Sequence, residues 1–166
     1  MAYQFYVYMV GQKTGQIKGS VTQKGREDSI GGLALSHSVG WPFDAANSTL
    51  GGTFQPQPLK FTKAWDKSTP VLLNILATRE NLSSCEIRFW QTVTSATSGT
   101  GSEVQNMPYR ITHANIVSIS QYTASPDQLN QFDATQLEDI TLVYQKFDVT
   151  YVEGGISAGW DWTARV

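Results

Sequence analysis

Ile140-Thr-Leu-Val-Tyr-Gln-Lys-Phe-Asp-Val-Thr-Tyr-Val152 is the stretch that decides the fold class. Ile140, Leu142 and Tyr144 share one parity, and Phe147, Val149 and Tyr151 take the other. Period-2 alternation rich in aromatic and β-branched residues is the signature of a half-buried strand. The change of parity predicts a β-bulge near Gln145–Lys146, where a one-residue shift returns the apolar set to the core face. Long strands that bend in this way suit a barrel or two sheets meeting at a corner.

The same alternation extends outward. It predicts strands over 3–10, 30–39, 58–65, 84–95, 107–123 and 139–152, with a short last one around 156–164. Turn-forming stretches lie between them at Gly11–Gly19, Asp44–Gly52, Ser95–Ser102 and Ala124–Asp127. These are short enough to be loops, so residues 1–166 read as one domain, without internal repeats. One segment departs from the pattern. Leu72, Leu73, Ile75 and Leu76 recur at helical spacing behind Thr69-Pro70, which fits an N-cap followed by the first helical position, with Ser68 as the other candidate cap. A lone helix of this kind packs its apolar stripe against a β wall. The expectation is an all-β chain with one α-helix, arranged as a closed β-barrel of two sheets with the helix on its flank.

Composition narrows the function classes. The 166 residues carry 12 Lys+Arg against 14 Asp+Glu, a net charge of −2. With no Lys/Arg cluster, this speaks against a nucleic-acid surface and a polybasic membrane anchor. No stretch approaches the ~18 apolar residues of a membrane span, so no membrane insertion is expected. Met1-Ala-Tyr-Gln-Phe-Tyr-Val-Tyr has none of the parts of a signal peptide. The chain is expected to fold in the cytosol, and export would use a route that reads something other than a leader. The single cysteine, Cys85, excludes an intramolecular disulfide and reads as a packed strand residue.

Chemistry-bearing groups are few and scattered along the chain. Ser36-His37 resembles a nucleophile beside a base, but strand neighbours point to opposite faces. His37 shares the parity of Leu33, Leu35 and Val39, and His113 that of Ile111, so both read as half-buried, hydrogen-bonded strand residues. No spacing supports a metal site. Glu27-Asp28 and Glu138-Asp139 are adjacent pairs that diverge in strands and are solvated in loops. Gly99-Thr100-Gly101 lacks the context of a dinucleotide loop, and Glu27-Asp28 cancels the basic pair in Lys24-Gly25-Arg26. Neither a catalytic centre nor a cofactor is expected.

Two features point to association. Trp160 and Trp162 share a face of the last strand, and the first strand carries aromatics on both faces. Core or subunit burial accounts for them, with a carbohydrate-binding sandwich as the alternative. Residues 1–83 carry 8 basic and 5 acidic side chains, and residues 84–166 carry 4 and 9. Such asymmetry suits head-to-tail contact between copies.

Three segments together resemble the Hcp tube proteins of the bacterial type VI secretion system. The first is Ile17–Ile30, with Ser20, Lys24, Gly25 and Arg26. The second is Pro58–Leu73, in which a strand with Thr62 and Lys63 enters the helix through Asp66, Lys67, Ser68 and Pro70. The third is the pair Ser84–Thr92 and Ile140–Val152. The resemblance implies a homohexameric ring that stacks into a tube within a contractile sheath, carries a spike and is expelled from the cell. It also implies that the ring holds effector proteins. The tail tube of a related phage-like particle is a near alternative. By the same analogy, Asp44–Gln57 is the extended loop that reaches a neighbouring subunit or ring. Its candidate residues are Asp44, Asn47, Leu50, Gly51, Gly52, Phe54 and Gln55. Gly51 and Gly52 let the loop bend, and Leu50 and Phe54 are the expected anchors.

Overall fold

The computed structural model describes residues 5–94, 101–123 and 136–163. The main strands are β1 (Phe5–Gly11), β2 (Gly15–Ile17), β3 (Ile30–Gly32), β4 (Ala34–Ser36), β9 (Leu59–Ala64), β10 (Leu82–Thr94), β11 (Gly101–Thr123), β12 (Gln136–Tyr151) and β13 (Ile156–Asp161). Four two-residue strands lie between β4 and β9: β5 (Val39–Gly40), β6 (Phe43–Asp44), β7 (Thr49–Leu50) and β8 (Gln55–Pro56). The helix, α1 (Thr69–Thr78), precedes β10. The expected turn at Ala124–Asp127, most of that at Ser95–Ser102, and the outer ends of the first and last expected strands lie outside the described residues.

The main sheet runs β2-β1-β10-β11-β12-β9-β4, with β3 also on β1 and β13 also on β12. Its ladders are antiparallel. The length of β12 lets it serve two partners on one side: Leu137–Leu142 pairs with β9 and Lys146–Tyr151 with β13. The expected strand over 30–39 is broken. β3 lies on β1, β4 lies on β9, and between them the Leu33 N–H donates to the Thr62 carbonyl at 2.8 Å. No ladder closes the sheet among the described residues, so its pairing is that of an open sheet and not the closed barrel expected from sequence.

The parity change read in the sequence is present, but it is not a bulge of one strand. Met9, Cys85, Ile111 and Phe147 form one cross-strand row, and Leu82, Ala114 and Tyr144 form the next. Along β10, β11 and β12 these rows are three residues apart, and all their members lie in or against the core. The pairing count is unchanged across the step; the register shift between β11 and β12 falls instead between Ile116 and Ser118. Three strands therefore crease together without an extra residue at the step in the β10–β11 or β11–β12 ladder; against β1, β10 carries one at Ser83, between the Val10–Ser84 and Gly11–Leu82 pairs. His113 stands at the crease with φ 51°, a left-handed backbone that non-glycine residues adopt only under constraint. Its side chain is exposed, against the expectation of half-burial.

Helix α1 covers the core with Leu72 and Ile75, both buried; Leu76 is half-buried and Leu73 is largely exposed, so the inward stripe is narrower than expected. Ser68 is the N-cap, and Pro70 sits one position past Thr69 in the first turn, where its missing N–H has no cost. Arg79 ends the helix with a left-handed backbone, φ 52°, and Glu80 N–H returns to the Ile75 carbonyl at 3.0 Å. Cys85 is completely buried in the core, as its strand position indicates.

Candidate functional site

Five of the residues that carry the family likeness, Ser20, Lys63, Asp66, Lys67 and Ser68, meet at one joint. Lys63 shares the strand parity of Leu59 and Phe61, so its side chain enters the protein with theirs. There its Nζ lies 2.7 Å from Glu138 Oε1 and 2.8 Å from Asp66 Oδ1, and it donates to Thr69 Oγ1 at 3.1 Å. Glu138 accepts from Thr69 Oγ1 at 2.9 Å and from Gln121 Nε2 at 3.0 Å. A buried charge needs such partners, because an unpaired one costs several kcal/mol. Burial works to raise the Asp66 pKa, but the Lys63 charge and hydrogen bonds from Lys63 and Ser68 outweigh it and hold the carboxyl below its ordinary value.

Asp66 also reaches a second segment. Its Oδ2 accepts from the Ser20 N–H at 3.2 Å, and the Lys67 N–H donates to Ser20 Oγ at 3.3 Å. Lys67 and Lys18 both lie 3.0 Å from Asp28, which has a left-handed backbone. Arg26 is buried, not part of a basic surface. Its guanidinium lies 4.0 Å from the Trp90 ring centroid and 4.6 Å from that of Tyr6, and it is paired with Glu103. Gly25 makes the turn before it with φ 82°, and Lys24 is exposed. Thr62 Oγ1 donates to Asp139 Oδ1 at 2.6 Å, while Lys60 pairs with the same carboxylate. Glu138 and Asp139 therefore diverge as strand neighbours should, but Glu138 is buried and ion-paired.

The expected loop is longer than Asp44–Gln57 and is folded as an arm. Val39 and Gly40 pair with Pro56 and Gln55, and Phe43 and Asp44 pair with Leu50 and Thr49. At the tip, Asp44 accepts from the Ala46 N–H and from Asn47 Nδ2, at 2.9 and 3.0 Å, so these two candidates close the turn, while Gln55 pairs with Gly40 at the base. Gly52 has φ 77°, and the Gly51 N–H donates to the Pro42 carbonyl at 3.0 Å. Phe43 is 71% exposed, Leu50 73% and Trp41 50%. Phe54 is half-buried against its own chain: its ring centroid lies 4.7 Å from that of Trp160 and 6.2 Å from that of Trp41. Trp160 and Trp162 meet at 78°, so they present no common flat face for a sugar ring. The Phe54–Trp160 contact was not visible in the sequence, because it joins residues more than a hundred positions apart.

His37 is held at the base of the arm by Tyr109, Tyr144 and Phe147, with no carboxylate in the group. It lies apart from His113 and from Ser36, which is exposed on the other face of β4. No group of three or more His, Cys, Asp or Glu suited to a metal ion occurs among the described residues. Nor is any of their helices long and apolar enough to cross a membrane.

The site is thus a one-helix β fold with paired internal charges and an arm that exposes apolar side chains. Known proteins share this architecture and identify the family. Residues 7–151 match the family model described as type VI secretion system effector, Hcp. The chain is 29% identical over 175 residues to the major exported protein of Pseudomonas aeruginosa, covering 100% of this chain and 99% of that one. A mutant form of the Hcp1 protein from the E. coli EAEC 042 pathovar superposes with a TM-score of 0.81 at 28% identity, covering 97% and 99% of the two chains. The secreted protein Hcp3 from Pseudomonas aeruginosa gives 0.72 at 26% identity over 97% and 99%. This chain belongs to the Hcp family of the type VI secretion system, whose members are secreted tube proteins and not enzymes.

Proposed function

We propose that this chain is the ring-forming subunit of a type VI inner tube. Six copies close a ring, rings stack within the contractile sheath behind a spike, and effector proteins travel in the channel. The observation that carries this reading is the arm. Trp41, Phe43 and Leu50 hold apolar surface away from the body of the chain, and contiguous exposed apolar surface of this kind marks a protein contact. Residues 30–36 support the barrel expected of such a subunit, since this one stretch borders both β1 and β9. At the far end of the sheet, Val104, Tyr151, Val152 and Ile156 form a second exposed apolar surface.

The test is export. In a cell with a functional type VI apparatus, the tagged chain should accumulate in the medium and disappear from it when the sheath gene is deleted. Export that persists without the sheath overturns the reading.

A further inference from the structure

His37 joins the arm to the body. It lies between β4, which is hydrogen-bonded to β9, and β5, the first strand of the arm. Its ring centroid is 5.6 Å from those of Tyr144 and Phe147 and 5.9 Å from that of Tyr109. Nε2 is 2.6 Å from the Tyr144 hydroxyl. The next residue, Ser38, accepts from the Gln57 N–H at 2.9 Å, which closes the neck of the arm.

The surroundings suit a neutral imidazole. From β11 the titratable group facing it is the Tyr109 phenol, and from β12 it is the Tyr144 phenol, whose pKa burial pushes up to about 12. Phe147 does not titrate, and residues 33–43 contain no other ionisable side chain. The nearby charges alternate to the opposite faces of their strands and are already paired: Lys60 with Asp139, Arg110 with Glu86, Lys146 with Asp148. Burial alone pushes the imidazole pKa below its ordinary 6.5. Among the described residues, a proton on His37 thus creates a charge with no anion to meet it, and turning the ring into water relieves that cost.

We propose that His37 is a proton-operated latch: neutral, it pins the arm to the β11–β12 surface, and protonated, it leaves the aromatic pocket and opens the neck at Ser38–Gln57. The latch is a property of the single chain. Its consequence for assembly, weaker contact through the arm in acid, rests on the function proposed above.

The test is a pH titration of the full chain by NMR, following the His37 ring together with exchange protection of the Gln57 amide, corrected for intrinsic rate. Protection of Gln57 should fall with the same midpoint as His37 protonation, below the ordinary 6.5. The loss should be about tenfold for each pH unit by which the latched pKa lies under the released one. His37→Phe should remove the response, while the core amide of Ile87 stays protected throughout. An unchanged Gln57 response in His37→Phe overturns the latch, and so does His37 titration that leaves Gln57 protection constant. Should His37→Phe not fold, the wild-type midpoints decide, since a latch requires them to coincide. Self-association near pH 7, read on the same samples, separates the two proposals. A monomer whose neck opens in acid keeps the latch and removes the assembly reading. An assembled chain with an acid-insensitive neck does the reverse.

Discussion

Lys63 and Glu138 face each other directly across the β9–β12 ladder and form an ion pair at 2.7 Å, with neither side chain accessible to solvent. The pair ties the strand that enters helix α1 to β12, which pairs with β11, β9 and β13. Asp66 and Thr69 complete it from the helix entrance, and Ser20 joins through Asp66, so three separate segments of sequence meet at one lysine.

Removing one partner should be far worse than removing both. Lys63→Met leaves Glu138 charged and buried, at a cost of about 3–5 kcal/mol. The Lys63→Met/Glu138→Leu double variant should recover a substantial part of that loss, although Thr69 and Gln121 lose an acceptor. Urea unfolding of the wild type, both single variants and the double variant measures the coupling. Additive losses would contradict it.

The same joint should govern acid stability. Asp66 has a folded pKa below its ordinary 3.8, so the unfolded chain binds its proton first as pH falls. Its contribution is therefore complete above about pH 4 and is lost as pH drops through the folded value. The difference in thermal midpoint between wild type and Asp66→Asn should be constant near neutrality and shrink below about pH 4. A difference that grows in acid would have the wrong sign.

Much of this joint was legible in outline. The strand at 58–65, the helix entrance and the Asp-Lys-Ser-x-Pro run are local signals, and the structure places them where the pattern does. An inward Lys63 was also readable, because it keeps the parity of Leu59 and Phe61. Its partner was not, since the register between strands so far apart in sequence is set by the assembled sheet. The crease was legible only in part. Parity within 140–152 revealed a step, but a single strand cannot show that Leu82–Cys85 and Ile111–Ala114 step with it. The arm read as a loop because its two ladders have only two residue pairs each, too few for periodicity to register.

The arm's apolar residues should separate into two kinds. Leu50 is 73% exposed, so Leu50→Asp should change unfolding free energy by no more than about 0.5 kcal/mol while reducing self-association. Phe54 packs on Trp160, so Phe54→Asp should cost about 1–3 kcal/mol in the single chain as well. Thermal unfolding and sedimentation of both variants provide the comparison. Equal effects of the two substitutions on folding would contradict the assignment.

Cys85 should behave as a core side chain. Burial pushes its thiol pKa up to about 12, and the side chain is inaccessible. A maleimide should label it only at the rate of global unfolding, with reaction accelerating in urea. Prompt labelling of the native chain would show that the β1–β10 face opens independently.

The central claim is that this Hcp-family chain is built to assemble, and light scattering on the purified chain eluting from a sizing column tests it most directly. The expected result is a mass of six chains, with annular particles when the peak is imaged by negative stain. A single-chain mass at every concentration, with no annular particles, would contradict it.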